Sequence, residues 1–199
     1  IHGGSGGVGS IAIQLAKHLG ATVATTVSAA NADLVRGLGA DVVIDHRTES
    51  FDDVLSAYDL VLDGVSGDNV LRSLTVLRPG GTVIGIAGPP DPAFAEQLGL
   101  NPVLRLVMAG LSRKARVRAA RLGVTYRFLF MSADGRQLSE IAALVEAGAL
   151  RPVVGKVVEF DDLAESLATL GQGGTTGKTV ASLPDGALSA IHTTHPESR

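Results

Sequence analysis

Short apolar runs alternate with helix-like segments along most of this chain. Three such runs, at residues 42–44, 60–62 and 82–87, are bounded by Gly, Pro or Asp. Continuous apolar runs are typical of strands that are buried on both faces. Strands that alternate with helices predict a parallel sheet with right-handed crossovers. The pattern therefore predicts an α/β fold with a doubly wound parallel sheet.

A glycine-rich run precedes the first helical pattern. Residues 4–9 read Gly-Ser-Gly-Gly-Val-Gly, which has the spacing G-x-G-x-x-G. Glycines let backbone amides approach a pyrophosphate, and the N-terminus of a following helix adds a partial positive charge. A purely structural glycine turn is the alternative for this motif taken alone. The cofactor-binding candidates in this run are Gly4, Gly6, Gly7, Val8 and Gly9.

The residues that follow the glycines favour the binding interpretation. A helical apolar pattern ends at Leu19, and Gly20 suits a helix C-cap. A β-branched run over residues 21–27 then predicts a strand, as in a Rossmann-type fingerprint. Only Ile1 and His2 precede the glycines, too few for the strand that should carry them. We therefore expect this chain to be a piece of a longer protein.

Beyond residue 87 the pattern changes. A rigid Gly-Pro-Pro-Asp-Pro loop leads to a helix-prone segment that carries five cations. A solvated helix face is the favoured interpretation of this basic cluster, and a phosphate or partner site is the alternative. Further strands are predicted at residues 124–130, 153–160 and 178–183, and further helices at residues 135–147 and 161–170. The five cations are Arg113, Lys114, Arg116, Arg118 and Arg121.

Composition narrows the function classes. Apolar residues make up 45% of the 199 residues and charged residues 19%, which is typical of a globular protein. The net charge of −3 gives no electrostatic case for a nucleic-acid partner. There are no cysteines, so disulfides, thiolate nucleophiles and cysteine-ligated zinc are excluded within this segment. No apolar run is long enough to span a membrane, and we predict no membrane partner.

Several segments, in order and at matching spacing, resemble the medium-chain dehydrogenase/reductase superfamily. The likeness is greatest to its zinc-independent, NADPH:quinone oxidoreductase-like branch, and it runs from residue 1 to about residue 183. The segments that carry it are residues 3–10, 14–17, 38–45, 59–63, 77–81 and 177–180.

This resemblance implies two parts and a tail. Residues 1–131 would form the NADP-binding Rossmann domain, with its first strand truncated. Residues 132–183 would be the returning C-terminal α+β segment of an incomplete GroES-like catalytic domain. Residues 184–199 are polar, and we expect a flexible tail in which His192 and His195 have no function.

The end of the strand at residues 21–27 favours NADP over NAD. NAD-binding domains place an Asp or Glu there to bond the ribose 2′-hydroxyl. This chain has Ser28 at that point and no acid before Asp33. A serine can donate to a 2′-phosphate, which a carboxylate would repel; a simple helix N-cap is the alternative. His46 and Arg47, after the next strand, are candidates for the same phosphate, with a plain surface charge as the alternative for Arg47.

The resemblance adds four more cofactor-binding candidates. Val65 and Ala87 match positions near the ribose and nicotinamide, and Phe130 lies in a segment that lines the cleft. Lys178 also matches the family pattern, although an ordinary lysine at a strand edge is the alternative.

By resemblance, the full-length enzyme would transfer hydride from NADPH to a small-molecule quinone or α,β-unsaturated carbonyl. The residues offer no acid–base constellation, so the catalytic residues stay unassigned, and no metal site is predicted. Tyr126 is a possible proton donor, but a strand residue with its hydroxyl at the rim is favoured. A non-catalytic NADP(H)-binding module and the cofactor domain of a zinc-type alcohol dehydrogenase are the alternatives. We also expect a homodimer in the full-length protein and a cytoplasmic location.

Overall fold

The computed structural model describes residues 1–170 and 176–183. The chain divides into two compact units, residues 1–151 and residues 152–199. The domain boundary expected after residue 131 rests on family resemblance and stays a prediction. The expected tail over residues 184–199, with its two histidines, lies outside the described residues.

Strands and helices alternate along the first unit, as the apolar pattern predicts. Its strands are β1 (Ala24–Val27), β2 (Val42–Asp45), β3 (Tyr58–Asp63), β4 (Leu77–Gly85) and β5 (Thr125–Phe128). Its α-helices are α1 (Gly9–His18), α2 (Ala32–Gly37), α3 (Phe51–Val54), α4 (Asp68–Ser73), α5 (Pro92–Gln97), α6 (Pro102–Leu111), α7 (Arg113–Arg121) and α8 (Gly135–Glu146). Gly20 has a φ of +80°, which fits its predicted place directly after a helix.

All pairings between the strands of the first unit are parallel. β1 pairs with β2, and β4 lies between β3 and β5. The N-terminal residues link the two groups, because His2 forms a parallel bridge to Thr26 while its backbone N–H donates to the Leu62 carbonyl at 3.0 Å. The spatial order is therefore β2, β1, the N-terminal residues, β3, β4 and β5. The prediction of a Rossmann-type, doubly wound parallel sheet is confirmed.

The core of this unit is aliphatic and packs the helices against the sheet. Val83 and Leu74 are almost fully buried, and Phe51 and Tyr126 supply its aromatic side chains. Helix α7 contributes small residues, Ala115 and Ala119, to the same cluster. Most of the cations on this helix are exposed, as expected for a solvated helix face.

The described part of the second unit contains two strands and a helix. β6 (Val154–Glu159) pairs in parallel with β7 (Lys178–Ser182), and α9 (Leu163–Leu170) lies between them in the sequence. Val158 is the buried residue of β6. These elements lie where the sequence predicts them, but their assignment to a GroES-like domain stays a prediction.

Candidate functional site

The chain changes direction in the sheet at the glycine run. From His2 it passes through α1 to β1 and β2 on one side, then returns to β3, β4 and β5 on the other. In open α/β sheets ligands bind in the crevice that such a switch point creates at the carboxyl ends of the strands. The order of the strands therefore predicts a ligand-binding site at residues 3–9.

Two glycines of the run are required by packing rather than by a ligand. A Cβ at Gly4 would lie 2.1 Å from Thr25 Oγ1, and one at Gly9 would lie 2.2 Å from the Gly3 carbonyl oxygen. Gly3 itself has a φ of +69°, in the region that favours glycine. The loop therefore packs closely against β1 and the first turn of α1, with no room for a side chain at Gly4 or Gly9.

Three consecutive residues of the run leave their backbone amides open. The Gly6 N–H donates to the Gly3 carbonyl at 3.0 Å, which closes the turn. Within the described residues, the amides of Gly7, Val8 and Gly9 donate to no carbonyl or side-chain oxygen. They stand at the N-terminus of α1, whose N-cap residue Val8 provides no side-chain cap. The first turn of this helix therefore offers free donors and a partial positive charge.

A cleft of about 220 Å³ lies in front of these amides. One wall is the glycine loop, and the other is formed where β3 and β4 end. Of the predicted cofactor-binding residues, Gly6, Gly7, Val8, Gly9 and Val65 line it. Gly4 is not among its lining residues, in keeping with its role in packing.

Asp63 shapes the wall opposite the glycine loop. Its side chain is fully buried at the end of β3, and Oδ1 accepts from the backbone N–H groups of Val65 at 2.9 Å and Ser66 at 3.1 Å. Ser66 has a φ of +72°, unusual for a residue with a side chain. Asp63 Oδ2 has no hydrogen-bond partner among the described residues. Sequence reasoning missed this role, although an Asp-Gly pair directly after an apolar run is a turn signal.

The side chain of His2 anchors the start of the glycine loop. Its Nδ1 lies 3.1 Å from Thr26 Oγ1, its Nε2 lies 2.9 Å from Ser73 Oγ, and its ring meets Phe51 edge-on at 4.4 Å. Burial, followed by the nearby Ile1 ammonium, lowers the pKa of His2 to about 4, despite an opposing effect of the Asp63 carboxylate. The ring is therefore neutral near pH 7. Its position directly before the glycines was the only sequence signal for this role.

Ser28 lies at the end of β1, close to the glycine loop. It is the N-cap residue of a 3-10 helix over Ala29–Asn31, but its side chain makes no capping hydrogen bond. Asn31 Nδ2 lies 3.4 Å from Ser28 Oγ and 3.2 Å from Ser5 Oγ. Asn31 thus joins the end of β1 to the loop through neutral polar groups, a role that its sequence position alone did not reveal.

His46 and Arg47 follow β2 and are both exposed. The His46 N–H donates to the Val27 carbonyl at 3.1 Å, which holds this turn beside the end of β1. The Arg47 N–H donates to Asp45 Oδ1 at 3.1 Å. The turn therefore presents two basic side chains next to the segment that contains Ser28.

Ala87 and Phe130 are not among the residues that line the cleft, and Lys178 belongs to the second unit. Ala87 is exposed two residues beyond β4, where Ile86 is the residue that lines the cleft. Phe130 is 59% exposed, and the centroid of its ring lies 5.9 Å from that of Phe94. Lys178 is exposed at the start of β7 in the second unit.

Tyr126 is buried and not at a rim. It is 4% exposed, and its hydroxyl donates to the Pro89 carbonyl at 2.8 Å. Burial, followed by the Asp91 and Asp63 carboxylates, raises the pKa of Tyr126. The favoured placement of its hydroxyl was wrong in this respect, and the phenol holds the Gly-Pro-Pro-Asp loop instead.

A family model described as zinc-binding dehydrogenase matches residues 38–180. The chain belongs to this family. The predicted membership of the medium-chain dehydrogenase/reductase superfamily is confirmed. Within the ranges that the structure describes, no three His, Asp or Glu side chains are grouped as metal ligands. In the same ranges, no helix combines the length and apolarity needed to cross a bilayer.

Curated relatives and solved structures of the family match most of this chain. NAD(P)H oxidoreductase RTN4IP1, mitochondrial, of Danio rerio is 36% identical over 92% of this chain and 48% of its own length. The NADPH-dependent alkenal/one oxidoreductase, chloroplastic, of Arabidopsis thaliana is 31% identical over 89% of this chain and 38% of its own length. The quinone oxidoreductase of Coxiella burnetii superposes with a TM-score of 0.74 at 25% identity, over 90% of this chain and 50% of that one. The chain thus spans at most about half the length of these proteins.

Proposed function

We propose that this chain binds NADP(H) as the cofactor-binding part of an oxidoreductase that reduces a quinone or an α,β-unsaturated carbonyl. The observation that carries the proposal is the set of open amides at Gly7, Val8 and Gly9, which face a cleft at the switch point. The names of the relatives support it, since they include an NAD(P)H oxidoreductase, an NADPH-dependent alkenal/one oxidoreductase and a quinone oxidoreductase.

The residues of the loop suit a pyrophosphate. Three amides at one helix end supply donors where an anion is favoured, and Gly6 presents no side chain between them and the cleft. The turn that Asp63 holds would then bound the nicotinamide side of the cleft through Val65. The bound nicotinamide supplies the hydride, and the work of this chain is to bind and orient it.

The surroundings of Ser28 support NADP rather than NAD. Ser28 and its neighbours Asn31 and Ser5 are neutral and can donate to a 2′-phosphate. His46 and Arg47 add basic side chains beside them. The nearest acid of that turn, Asp45, already accepts from the Arg47 backbone N–H at 3.1 Å.

A charge reversal in the loop tests the proposal directly. In Gly6→Asp a carboxylate would stand where the pyrophosphate binds, and two like charges about 4 Å apart repel by about 4 kcal/mol near a protein surface. We expect NADPH affinity, measured by isothermal titration calorimetry on the 199-residue chain, to fall by at least about 100-fold.

Two further variants separate charge from other effects. Gly110→Asp adds the same charge on α6, where a Cβ meets nothing within 4 Å, and it should bind like the wild type. Gly6→Ala brings a Cβ to 3.3 Å from the Gly3 carbonyl oxygen and should cost far less affinity than Gly6→Asp. Undiminished binding by Gly6→Asp would show that the pyrophosphate does not bind at this loop.

The remaining features of the whole protein follow from the same proposal. The substrate would be a small electron-poor molecule, the full-length protein a homodimer and its location cytoplasmic. Ala87 and Phe130 would approach the cofactor from outside the cleft walls, and Lys178 stays a cofactor-binding candidate on family resemblance alone. The buried hydroxyl of Tyr126 is committed to Pro89, so the proton donor is to be sought elsewhere.

A further inference from the structure

One exposed face runs along two successive helices of the first unit, α6 and α7. Its members recur at the i, i+3, i+4 and i+7 spacing of a single helix face, and all of them are exposed. We call this face the outer stripe. It consists of Val103, Leu106, Val107, Gly110, Arg113, Lys114, Val117, Arg118 and Arg121.

Backbone hydrogen bonds carry this face across the junction of the two helices. Ser112 lies between them with a φ of −89°. Its N–H donates to the Met108 carbonyl at 3.1 Å, and its carbonyl accepts from the Arg116 N–H at 3.0 Å. The Arg116 side chain also donates to the Ala109 carbonyl at 3.0 Å. Both backbone bonds join residues four apart, so the helical phase continues through Ser112 and both halves of the outer stripe follow the same side.

The fold itself turns the outer stripe away from the core. Helix α7 packs Ala115 and Ala119 into the core cluster that includes Val83 of β4. The opposite face of a helix that covers a sheet points outward from the layers. Along α6 the same stripe leaves Val103 71% and Leu106 74% exposed. Apolar residues at this spacing ordinarily face a core, so an apolar surface of this kind indicates a binding partner.

The two halves of the outer stripe differ in their chemistry. The α6 half contains only apolar residues, whereas the α7 half carries four exposed cations. In the ranges that the structure describes, none of these four forms an ion pair. The whole chain has a net charge of −3, so this positive charge is a local excess. A complementary partner must therefore offer an apolar layer beside a layer of negative charge.

A bilayer with anionic phospholipids has this arrangement. Apolar side chains of a surface helix enter the boundary between head groups and acyl chains, while Lys and Arg extend to the phosphates. Every residue of α6 is fully or partly exposed, so this helix forms a ridge on the surface. A ridge can enter a fluid interface, whereas a folded protein partner would need a matching groove. Nucleic acid offers phosphates but no apolar layer for the α6 half.

We propose that the outer stripe docks this protein on the surface of a bilayer that contains anionic phospholipids. The α6 half lies in the interface, and the α7 half lies over the phosphates. Such docking is peripheral and needs no spanning helix. It departs from the prediction of no membrane partner, which was based on the length of apolar runs alone. The inference does not rest on cofactor binding.

Co-sedimentation with sucrose-loaded vesicles tests the docking, using the 199-residue chain without nucleotide. Vesicles of phosphatidylcholine with about one quarter phosphatidylglycerol are compared with vesicles of phosphatidylcholine alone. We expect partition onto the anionic vesicles to be stronger by at least about tenfold. Raising the ionic strength from about 0.1 M to about 0.5 M should weaken that partition, because the Debye length shortens.

Matched protein variants locate the binding. Leu106→Glu places a carboxylate in the apolar half of the outer stripe, and Leu138→Glu places one on α8, at a leucine that is 67% exposed. Arg118→Glu reverses a charge in the cationic half, and Arg136→Glu reverses an exposed charge on α8. We expect the first member of each pair to lose at least about tenfold in partition and the second to stay within about twofold of the wild type. Circular dichroism confirms that each variant is folded.

A tryptophan can report insertion directly, because the chain contains none. Leu106→Trp keeps an apolar side chain in the outer stripe, and Leu138→Trp is its control on α8. On anionic vesicles that include brominated phosphatidylcholine, we expect the emission of Leu106→Trp to shift to shorter wavelength and to be quenched. The emission of Leu138→Trp should stay unchanged.

Several results would overturn the proposal. They are no partition onto the anionic vesicles, equal partition onto anionic and neutral vesicles, equal losses within a matched pair of variants, and no quenching of Leu106→Trp on bound vesicles. Binding of soluble polyglutamate without partition onto vesicles would assign the outer stripe to an acidic polypeptide. A wild-type dimer that Leu106→Glu dissociates in sedimentation would assign it to a second copy of this chain. Calorimetry with NADPH tests the cofactor proposal separately, so either proposal can fail without the other.

Discussion

Acidification should destabilise the first unit through His2. The His2 side chain is 6% exposed, and its ring nitrogens lie 3.1 Å from Thr26 Oγ1 and 2.9 Å from Ser73 Oγ. A proton added to this ring would be buried, close to the Ile1 ammonium and the Arg72 guanidinium. Burial and these two cations lower the pKa of His2 to about 4 in the folded chain, against the opposing Asp63 carboxylate.

The sign of the effect follows from proton linkage. An unfolded histidine titrates near pH 6.5. Below that pH the unfolded chain therefore binds a proton at His2, whereas the folded chain leaves the ring unprotonated. The stabilisation is present above about pH 6.5 and is lost as the pH falls toward 4. With a folded pKa of about 4, His2 alone should cost about 2 kcal/mol between pH 7 and pH 5, and about 3 kcal/mol in full.

Urea unfolding at pH 7 and pH 5, followed by circular dichroism, measures this difference. His2→Gln keeps a polar side chain but cannot titrate, so it should lose about 2 kcal/mol less than the wild type over this range. The Ile1 ammonium, whose pKa burial lowers to about 6, titrates in both proteins and largely cancels. His18→Gln, at an exposed position on α1, is the matched control for replacing a histidine by glutamine.

The reasoning would be refuted if the wild type and His2→Gln lost the same stability between pH 7 and pH 5. A direct check covers the case in which His2→Gln does not fold. The ring of His2 in the wild type can be titrated by nuclear magnetic resonance, and a midpoint near 6.5 would contradict the buried, neutral state inferred here.

Two other predictions concern the cofactor and the cleft wall. Ser28→Asp should shift the ratio of NADPH to NADH affinity toward NADH by about tenfold, or about 1.4 kcal/mol, because a carboxylate repels the 2′-phosphate; an unchanged ratio by fluorescence titration would place the phosphate elsewhere. Asp63→Ala removes the acceptor of the Val65 and Ser66 N–H groups and should lower the free energy of unfolding by about 2 kcal/mol. Asp59→Ala, at an exposed ion pair, should change it by less than about 1 kcal/mol, and equal losses would contradict the role of Asp63.

Local patterns predicted the elements of this fold well because each depends on neighbouring residues. The glycine run, the helical spacing up to Leu19 and the apolar runs of β2, β3 and β4 all lie where the sequence indicates. The strand after Gly20 is shorter than predicted, residues 24–27 rather than 21–27, because pairing with β2 begins only at Ala24. The β-propensity of residues 21–23 therefore does not decide where the strand begins, because its start is set by pairing with β2.

The candidate site was only partly predictable for the same reason. The sequence identified Gly6, Gly7, Val8 and Gly9, because glycines before a helix carry their own backbone signal. It did not identify His2, Asn31 or Asp63. His2 contacts Thr26, which is 24 residues away in the sequence, and Asn31 contacts Ser5, which is 26 residues away. Asp63 contacts Val65, which is two residues away, and only this short-range contact has a local turn signal.

The sequence by itself determined that this chain forms a parallel α/β sheet with a glycine loop at a helix N-terminus, since periodicity and backbone freedom are properties of neighbouring residues. Only the tertiary structure decided which glycines pack and which face the cleft. It also decided that His2 is buried and neutral, and that the N-terminal residues lie between β1 and β3. Those features depend on atoms brought together from distant parts of the chain, and burial and strand spacing exist only once the sheet has formed.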